Sequence, residues 1–433
     1  MKQYAPVAKL KIVTTEGIQD PMPDAVRITT HKRLGEPAGA WSIQLTTKKD
    51  SQGRTWADRV KPMDYVVIWL GRFSTQPPVI MRGFVDNVRE ALNIEDGKPQ
   101  RYVLINGRDY GGLLQRIKIY YLYDKDPTAG LIGARLEFFY GVPARDFKVE
   151  DFIPLLNDKV ISPRIANFRK YNKGIVDMIT KINIPDNMTL NGIQIQPYEG
   201  PLLGLIEMVQ GKPHVEFFVT ETEEAPALVH RWAPLKKWDG KYARTDSDPT
   251  GDPLFTDLEL DANDRISRDL GFSGNEAFSY FFTYPTQSLV SKLALKSTTY
   301  YFYVPQDMYD LEKPSNPKII QDNLDRFDFL PLEVATPFMP AQNPDETVLD
   351  TGMRQMALEL NQWLVDVYGH NHELKNGTIQ IKGNEGARIG RYVYFKDLDM
   401  EFYIEGVDHE FVVKESFTTT LTMTRGRKRN NVL

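Results

Sequence analysis

Over residues from about 8 to 107, apolar and polar side chains alternate in short runs bounded by turn residues, the pattern of half-buried β-strands. Lys9-Leu10-Lys11-Ile12-Val13 reads as the first strand. Val26-Arg27-Ile28-Thr29-Thr30 and Trp41-Ser42-Ile43-Gln44-Leu45, separated by Gly35, Pro37 and Gly39, read as a hairpin with a long loop. Tyr65 to Leu70 and Val79 to Val88 flank Gly71 and Pro77-Pro78. Antiparallel strands at this spacing predict a small barrel or sandwich. After Asp109 the period changes, and Leu113, Leu114 and Ile117 predict one short closing helix.

From about 118 to 200 the pattern loosens. Tyr120-Tyr121-Leu122-Tyr123 and Leu136-Glu137-Phe138-Phe139-Tyr140 are aromatic runs that fit either a core or a contact surface. Helices are predicted at Gly174 to Ile182 and at Pro201 to Gln210, the second with Pro201 in its first turn and Gly211 just past its end. His214 to Val219 and Ala227 to Trp232 give a second hairpin. Residues 239 to 265 are rich in aspartate, and Pro305, Pro314, Pro317, Pro331, Pro337, Pro340 and Pro344 predict an extended arm without regular structure. Leu349, Met353, Met356, Leu360, Trp363 and Val367 then recur in steps of four and three, ending at Gly369. That stripe marks a helix whose apolar face is buried on its own domain or pairs between subunits.

The chain also nearly repeats itself. Asp64-Tyr65-Val66-Val67-Ile68-Trp69, Gly83-Phe84-Val85-Asp86 and Arg101-Tyr102-Val103-Leu104-Ile105 with Gly107-Arg108 find counterparts near the C-terminus. These are Arg391-Tyr392-Val393-Tyr394-Phe395, Gly406-Val407-Asp408 and Thr419-Thr420-Leu421-Thr422-Met423 with Gly426-Arg427. Shared order and spacing point to a duplicated three-strand unit. If the C-terminal copy is a barrel like the first, the hairpin of 214–232 is the candidate for its missing leading strands, which would make that barrel discontinuous in sequence.

Composition narrows the function. The 433 residues suffice for about three domains. Hydrophobic residues at 41% and charged residues at 26% describe a globular chain. A net charge of -5 argues against a protein that grips phosphate backbones. The absence of cysteine removes disulfides, thiolate metal sites and a cysteine nucleophile. No run approaches the ~18 apolar residues of a membrane span, so no membrane insertion is expected. The N-terminus has no leader-like apolar segment, so maturation in a reducing cytosol is expected.

Candidate chemistry is thin. His370-Asn371-His372-Glu373 carries two imidazoles and a carboxylate, but it follows Gly369 at a helix end, where polar residues cap and turn. Asp246-Ser247-Asp248-Pro249-Thr250-Gly251 with Asp257 partly echoes a calcium loop, although Pro253 replaces an apolar residue and no amphipathic helix precedes it. No Gly-x-Ser-x-Gly elbow, phosphate-cradling glycine loop or His-Glu-x-x-His helix occurs, and no pair of carboxylates stands out for glycoside hydrolysis. Arg425-Gly426-Arg427-Lys428-Arg429 reads as a short basic tail, either solvated or set against an acidic neighbour. No catalytic, cofactor-binding or metal residue is therefore assigned.

The module ending Ile105-Asn106-Gly107-Arg108-Asp109, the Glu216-Phe217-Phe218 hairpin and the late helix before Gly377-Thr378-Ile379-Gln380-Ile381 together resemble the baseplate hub proteins of contractile-tailed bacteriophages. The closing run Tyr403-Ile404-Glu405-Gly406-Val407-Asp408-His409, with Phe417 to Gly426, is similar to the last hairpin of hubs related to late-control protein D and the type VI secretion spike. The resemblance implies an α+β, mainly β fold with two tail-tube-like antiparallel barrels and inserted segments. The expected divisions are a first barrel at 1–117, a mixed insert at 118–200, a completing hairpin at 201–236, an acidic and Pro-rich insert at 237–345, and a helix plus second barrel at 346–433. It also implies a non-enzymatic homotrimer whose six barrels join a sixfold tube to a threefold spike. Expected partners are the central spike, a tail tube or tube-initiator protein, the tape-measure protein and baseplate wedge components. DNA would meet the chain only in transit through the lumen. The protein would then be a virion component assembled in the host cytoplasm. The alternatives are a tail-associated cell-wall-degrading enzyme and a calcium-dependent β-sandwich adhesin.

Overall fold

The computed structural model describes residues 6–72, 76–95, 98–119, 147–185, 188–190, 200–249, 251–252, 254–285, 319–340 and 346–429. The aromatic runs at 120–123 and 136–140 lie outside the described residues, as do Pro305, Pro314, Pro317 and Pro344.

The first unit has six main strands: β1 (Val7–Thr14), β2 (Ala25–Arg33), β3 (Glu36–Thr46), β4 (Tyr65–Gly71), β5 (Val79–Glu95) and β6 (Lys98–Asp109). They pair in the order β2-β3-β6-β5-β4-β1. The β2–β3 hairpin turns on Leu34 and Gly35 alone, so the expected long loop is a tight one. Pro37 and Gly39 lie within β3. Gly39 is needed there for close approach, because a Cβ would meet the Asp109 carboxylate at 2.8 Å. The helix Gly111–Arg116 follows β6, as the change of period predicts.

Three later segments depart from expectation. Residues 179–183 form a strand, β7 (Ile179–Asn183), where a helix is expected, and β7 pairs parallel with the second strand of the mid-chain hairpin. Ile175 and Met178, spaced three apart, mimic helical periodicity but insert into the central core from irregular backbone. The hairpin β8 (Val215–Glu221) and β9 (Pro226–Trp232) forms as expected. With β7 it makes a separate three-stranded sheet and supplies no strand to the C-terminal unit. The Pro-rich arm is partly regular, with a helix at Gln321–Phe327 and a strand at Pro331–Thr336 that pairs parallel with Tyr280–Pro285. Pro331 opens that strand, a position where its missing N–H costs no ladder bond.

The second unit takes its leading strands from the expected acidic insert: β10 (Leu258–Leu260) and β11 (Arg265–Gly271). They join β12 (Lys375–Lys382), β13 (Tyr392–Phe395), β14 (Met400–Val412) and β15 (Ser416–Lys428) in the order β11-β12-β15-β14-β13-β10. This unit is discontinuous in sequence, and residues 258–271, not the hairpin of 214–232, complete it. The long helix Glu346–Tyr368 lies in the insert between β11 and β12.

Three cores follow. Each six-stranded unit wraps its own cluster, and all six strands of each contribute. Leu10, Ile28, Ile43, Ile68, Val85 and Ile105 represent the first, and Leu260, Leu270, Ile381, Val393, Ile404 and Leu421 the second. A third, central core packs the outer face of both units against the hairpin and helices. Tyr65-Val66-Val67-Ile68 is apolar throughout because its residues alternate between the central and the first core. Met356, Leu360, Trp363 and Val367 of the helical stripe are buried in this central core, which places that face on the same chain. The side chains of Leu349 and Met353 lie outside the described residues.

Candidate functional site

The two units are copies in topology. Their strands follow the same chain order and the same sheet order, and the one change of direction is β10 on β13, which is parallel where β1 on β4 is antiparallel. Buried cross-strand aromatic pairs mark the equivalence. Tyr65 lies opposite Phe84, with ring centroids 5.8 Å apart and planes at 53°. Tyr392 lies opposite Tyr403, at 5.1 Å and 56°.

From these anchors Phe84-Val85-Asp86 corresponds to Tyr403-Ile404-Glu405. The next residues along each ladder confirm it, because both sheets shift register at that point: between Val85 and Asn87 in one and between Ile404 and Gly406 in the other. The acidic residue at each bulge is held from the same cross-strand position. Arg108 donates to Asp86 at 2.6 Å, and Thr424 donates to Glu405 at 3.0 Å. The sequence match between Gly83-Phe84-Val85-Asp86 and Gly406-Val407-Asp408 is therefore three residues out of register. Glycine and aspartate made it visible, whereas buried rings set the true alignment.

The units join edge to edge. The distal half of β14 pairs antiparallel with β2, from Gly406 opposite Arg33 to Val412 opposite Arg27, so the two units share one continuous sheet. Arg33 clamps Asp408 with two bonds at 3.0 and 2.7 Å, and His31 Nδ1 lies 2.5 Å from the same carboxylate. Arg27 pairs with Glu410. Phe411 and Phe417 insert from the second unit into the core of the first.

A second set of ties fixes the mid-chain hairpin to both units. Glu221 accepts from the Arg82 backbone N–H at 2.9 Å and from its guanidinium at 2.6 Å. The same guanidinium donates to the Thr222 and Glu223 carbonyls at 3.1 and 3.0 Å. Arg388 of the second unit donates to the Glu221 carbonyl at 2.9 Å. On the far side Arg231 donates to Glu216 at 2.9 Å and to the Tyr403 hydroxyl at 3.1 Å, with its guanidinium stacked on Phe255. Burial pushes the Tyr403 hydroxyl well up from its ordinary value, and the neighbouring Glu216 adds to the effect. Burial also holds His214 neutral, down to about 4, and His230 and His409 neutral, down to about 3.

The sequence-level site candidates resolve differently. In 370–373 both imidazoles approach one carboxylate, His370 and His372 each lying 3.7 Å from Glu373. Asn371 is engaged by Glu276 and Arg425. Among the described residues no three His, Asp or Glu side chains could hold one metal ion. Two of the calcium-loop carboxylates point to different cations, Asp246 to Arg244 and Asp257 to Lys236 at 3.9 Å, and Asp252 between them pairs with Lys181 at 3.0 Å. Thr250 and Pro253 lie outside the described residues. The basic run is part of the fold. Arg427 donates to Glu401 at 2.7 Å, Arg425 caps the long helix at the Val367 carbonyl, and Arg429 reaches Glu259 at 3.3 Å. Gly426 has no room for a side chain, because a Cβ would stand 2.0 Å from the Phe402 ring.

The mainly β, α+β fold of this chain is similar to that of phage tail proteins. Two solved structures share it across nearly their whole length. The 43 kDa tail protein of prophage MuSo2 from Shewanella oneidensis is 13% identical, with a TM-score of 0.51 over 97% of this chain and 98% of that one. The tail protein from Neisseria meningitidis MC58 is 11% identical, with a TM-score of 0.51 over 96% of each. No family model and no curated protein matches the sequence.

Proposed function

We propose that this chain is a structural baseplate hub of a contractile phage tail. Three copies form a pseudo-sixfold ring that joins the tail tube to the central spike and lines the channel through which DNA passes. The observation that carries the reading is the duplication: two units of identical strand order in one chain, so that three chains present six. That arrangement reconciles a threefold spike with a sixfold tube. The tail-protein fold supports the same reading.

The remaining assignments follow from the ring. Its faces would meet the spike on one side and the tube or tube-initiator protein on the other, with wedge components outside and the tape-measure protein in the lumen. On this reading the part is non-enzymatic, and the buried ion pairs described above serve to tie elements together. The protein would reside in the virion after assembly in the host cytoplasm. Light scattering of the purified chain, alone and mixed with spike protein, tests this. The expected species is a trimer with interfaces burying more than ~2,000 Å². A chain that stays monomeric and binds neither spike nor tube protein contradicts it.

A further inference from the structure

The seam between the units has two halves, and among the described residues one of them is used within the chain. In the used half, the distal arm of β14 lies on the outer edge of β2. The equivalent arm in the first unit is Asn87 to Leu92 of β5, because Val88 and Ile105 pair as Val407 and Leu421 do. β4 covers the other edge of β5 only as far as Phe84, so among the described residues this arm has one open edge. The equivalent of β2 is β11, because Ile28 pairs with Ile43 as Arg268 pairs with Ile379. β11 ends the sheet.

Burial tells the same story. Ile28 is fully buried on β2, whereas Ser267, Arg268 and Asp269 of β11 are exposed and Phe272 just beyond them is 63% exposed. On the arms, Phe411 is 5% exposed in the core of the neighbouring unit, whereas its equivalent Leu92 is 61% exposed.

We propose that the Asn87–Leu92 arm of one chain pairs antiparallel with Arg268–Ser273 of the next copy of this chain, repeating between molecules the seam that joins the two units within one. Transferring the internal register sets Val88 opposite Phe272, Ala91 opposite Asp269 and Leu92 opposite Arg268. Leu92 then enters the second-unit core of the neighbour beside Leu270, as Phe411 enters the first. Arg89 falls diagonal to Asp269 on the outer face, where opposite charges attract. Each chain offers one arm and one edge at different places, so the contact is head-to-tail, the kind that builds the closed ring proposed above when its rotation closes after three copies. This rests on the ring reading above and specifies its joint.

The absence of native cysteine makes the test clean. Two double variants, Ala91→Cys with Asp269→Cys and Leu92→Cys with Arg268→Cys, cover both kinds of antiparallel pair, one of which brings Cβ atoms within disulfide reach. Mild oxidation of the full chain should yield a covalent trimer in at least one of them, reversed by reductant and absent from the four single variants. Separately, Leu92→Asp should weaken association more than about tenfold, the equivalent of exposing a leucine, while leaving the melting temperature of the monomer unchanged. Trimers that form without either cross-link and survive Leu92→Asp overturn the joint and leave the ring reading intact. A chain that never associates overturns both.

Discussion

Glu221 and Arg82 form the tie on which both units and the hairpin converge, and removing one partner should cost more than removing both. Glu221 is 1% exposed and Arg82 6%, so Glu221→Ala strands a buried guanidinium whose remaining acceptors among the described residues are the carbonyls of Thr222 and Glu223. Arg82→Ala leaves a buried carboxylate with the residue 82 N–H as its remaining donor from this pair. Breaking such a pair from one side costs about 3–5 kcal/mol, whereas well-packed apolar replacements on both sides are near neutral. Arg82→Met with Glu221→Leu leaves the residue 82 N–H without its acceptor and should therefore cost about 1–3 kcal/mol, less than either single change. The coupling between the sites should exceed about 2 kcal/mol. Urea unfolding followed by tryptophan fluorescence reads all four proteins. Single variants that each cost under about 1 kcal/mol, or a double variant that costs their sum, would refute the reasoning.

Three further outcomes are expected. Phe411→Ala should destabilise the chain by about 3–5 kcal/mol and separate the melting of the two units, because the ring is a plug from one in the core of the other; calorimetry showing one unshifted transition would contradict this. Gly107→Ala places a methyl 2.1 Å from the Phe84 carbonyl oxygen, which the ladder holds in place, so a loss of about 1–3 kcal/mol should appear in the same urea assay. Acid should weaken the fold through His214, His230 and His409, whose folded pKa values are depressed. Their contribution is complete above pH ~6.5 and is lost as pH falls toward about 3–4, up to ~2 kcal/mol each by pH 5, because only the unfolded chain takes up the protons. Burial raises the carboxyls of Asp109 and Glu405, which works in the opposite sense. The histidine effect is therefore read by difference: His409→Gln should lose about 2 kcal/mol less than the parent between pH 7.5 and 5.0, and an equal loss would refute it.

The strands that the sequence reveals are those whose alternate residues enter cores. β4, β5, β13 and β14 carry long apolar runs, and the hairpin β8–β9 is buried almost throughout, so each stands out against its flanks. The duplication is visible for the same reason, but its register is not. Tyr65 with Phe84 and Tyr392 with Tyr403 share a place and not a spelling, and a Gly-x-Asp coincidence three residues away is the louder signal. β11 is illegible because Arg265-Ile266-Ser267-Arg268-Asp269 is an exposed edge, without the alternation a half-buried strand shows. β7 is misread because Ile175 and Met178 serve a core at helical spacing, while the strand that follows is fixed by partners more than forty residues away. The basic run at 425–429 is a tail in composition only, since the residues that neutralise it, Glu401 and Glu259, become its neighbours through the sheet.

The claim that two like units in one polypeptide let a threefold assembly present six is tested most directly by imaging the purified particle down its axis. Averaged end-on views should show a ring of six similar lobes with true threefold symmetry and a mass three times the chain's 49.7 kDa. A ring of any other chain number, or three lobes with no sixfold repeat, would contradict it.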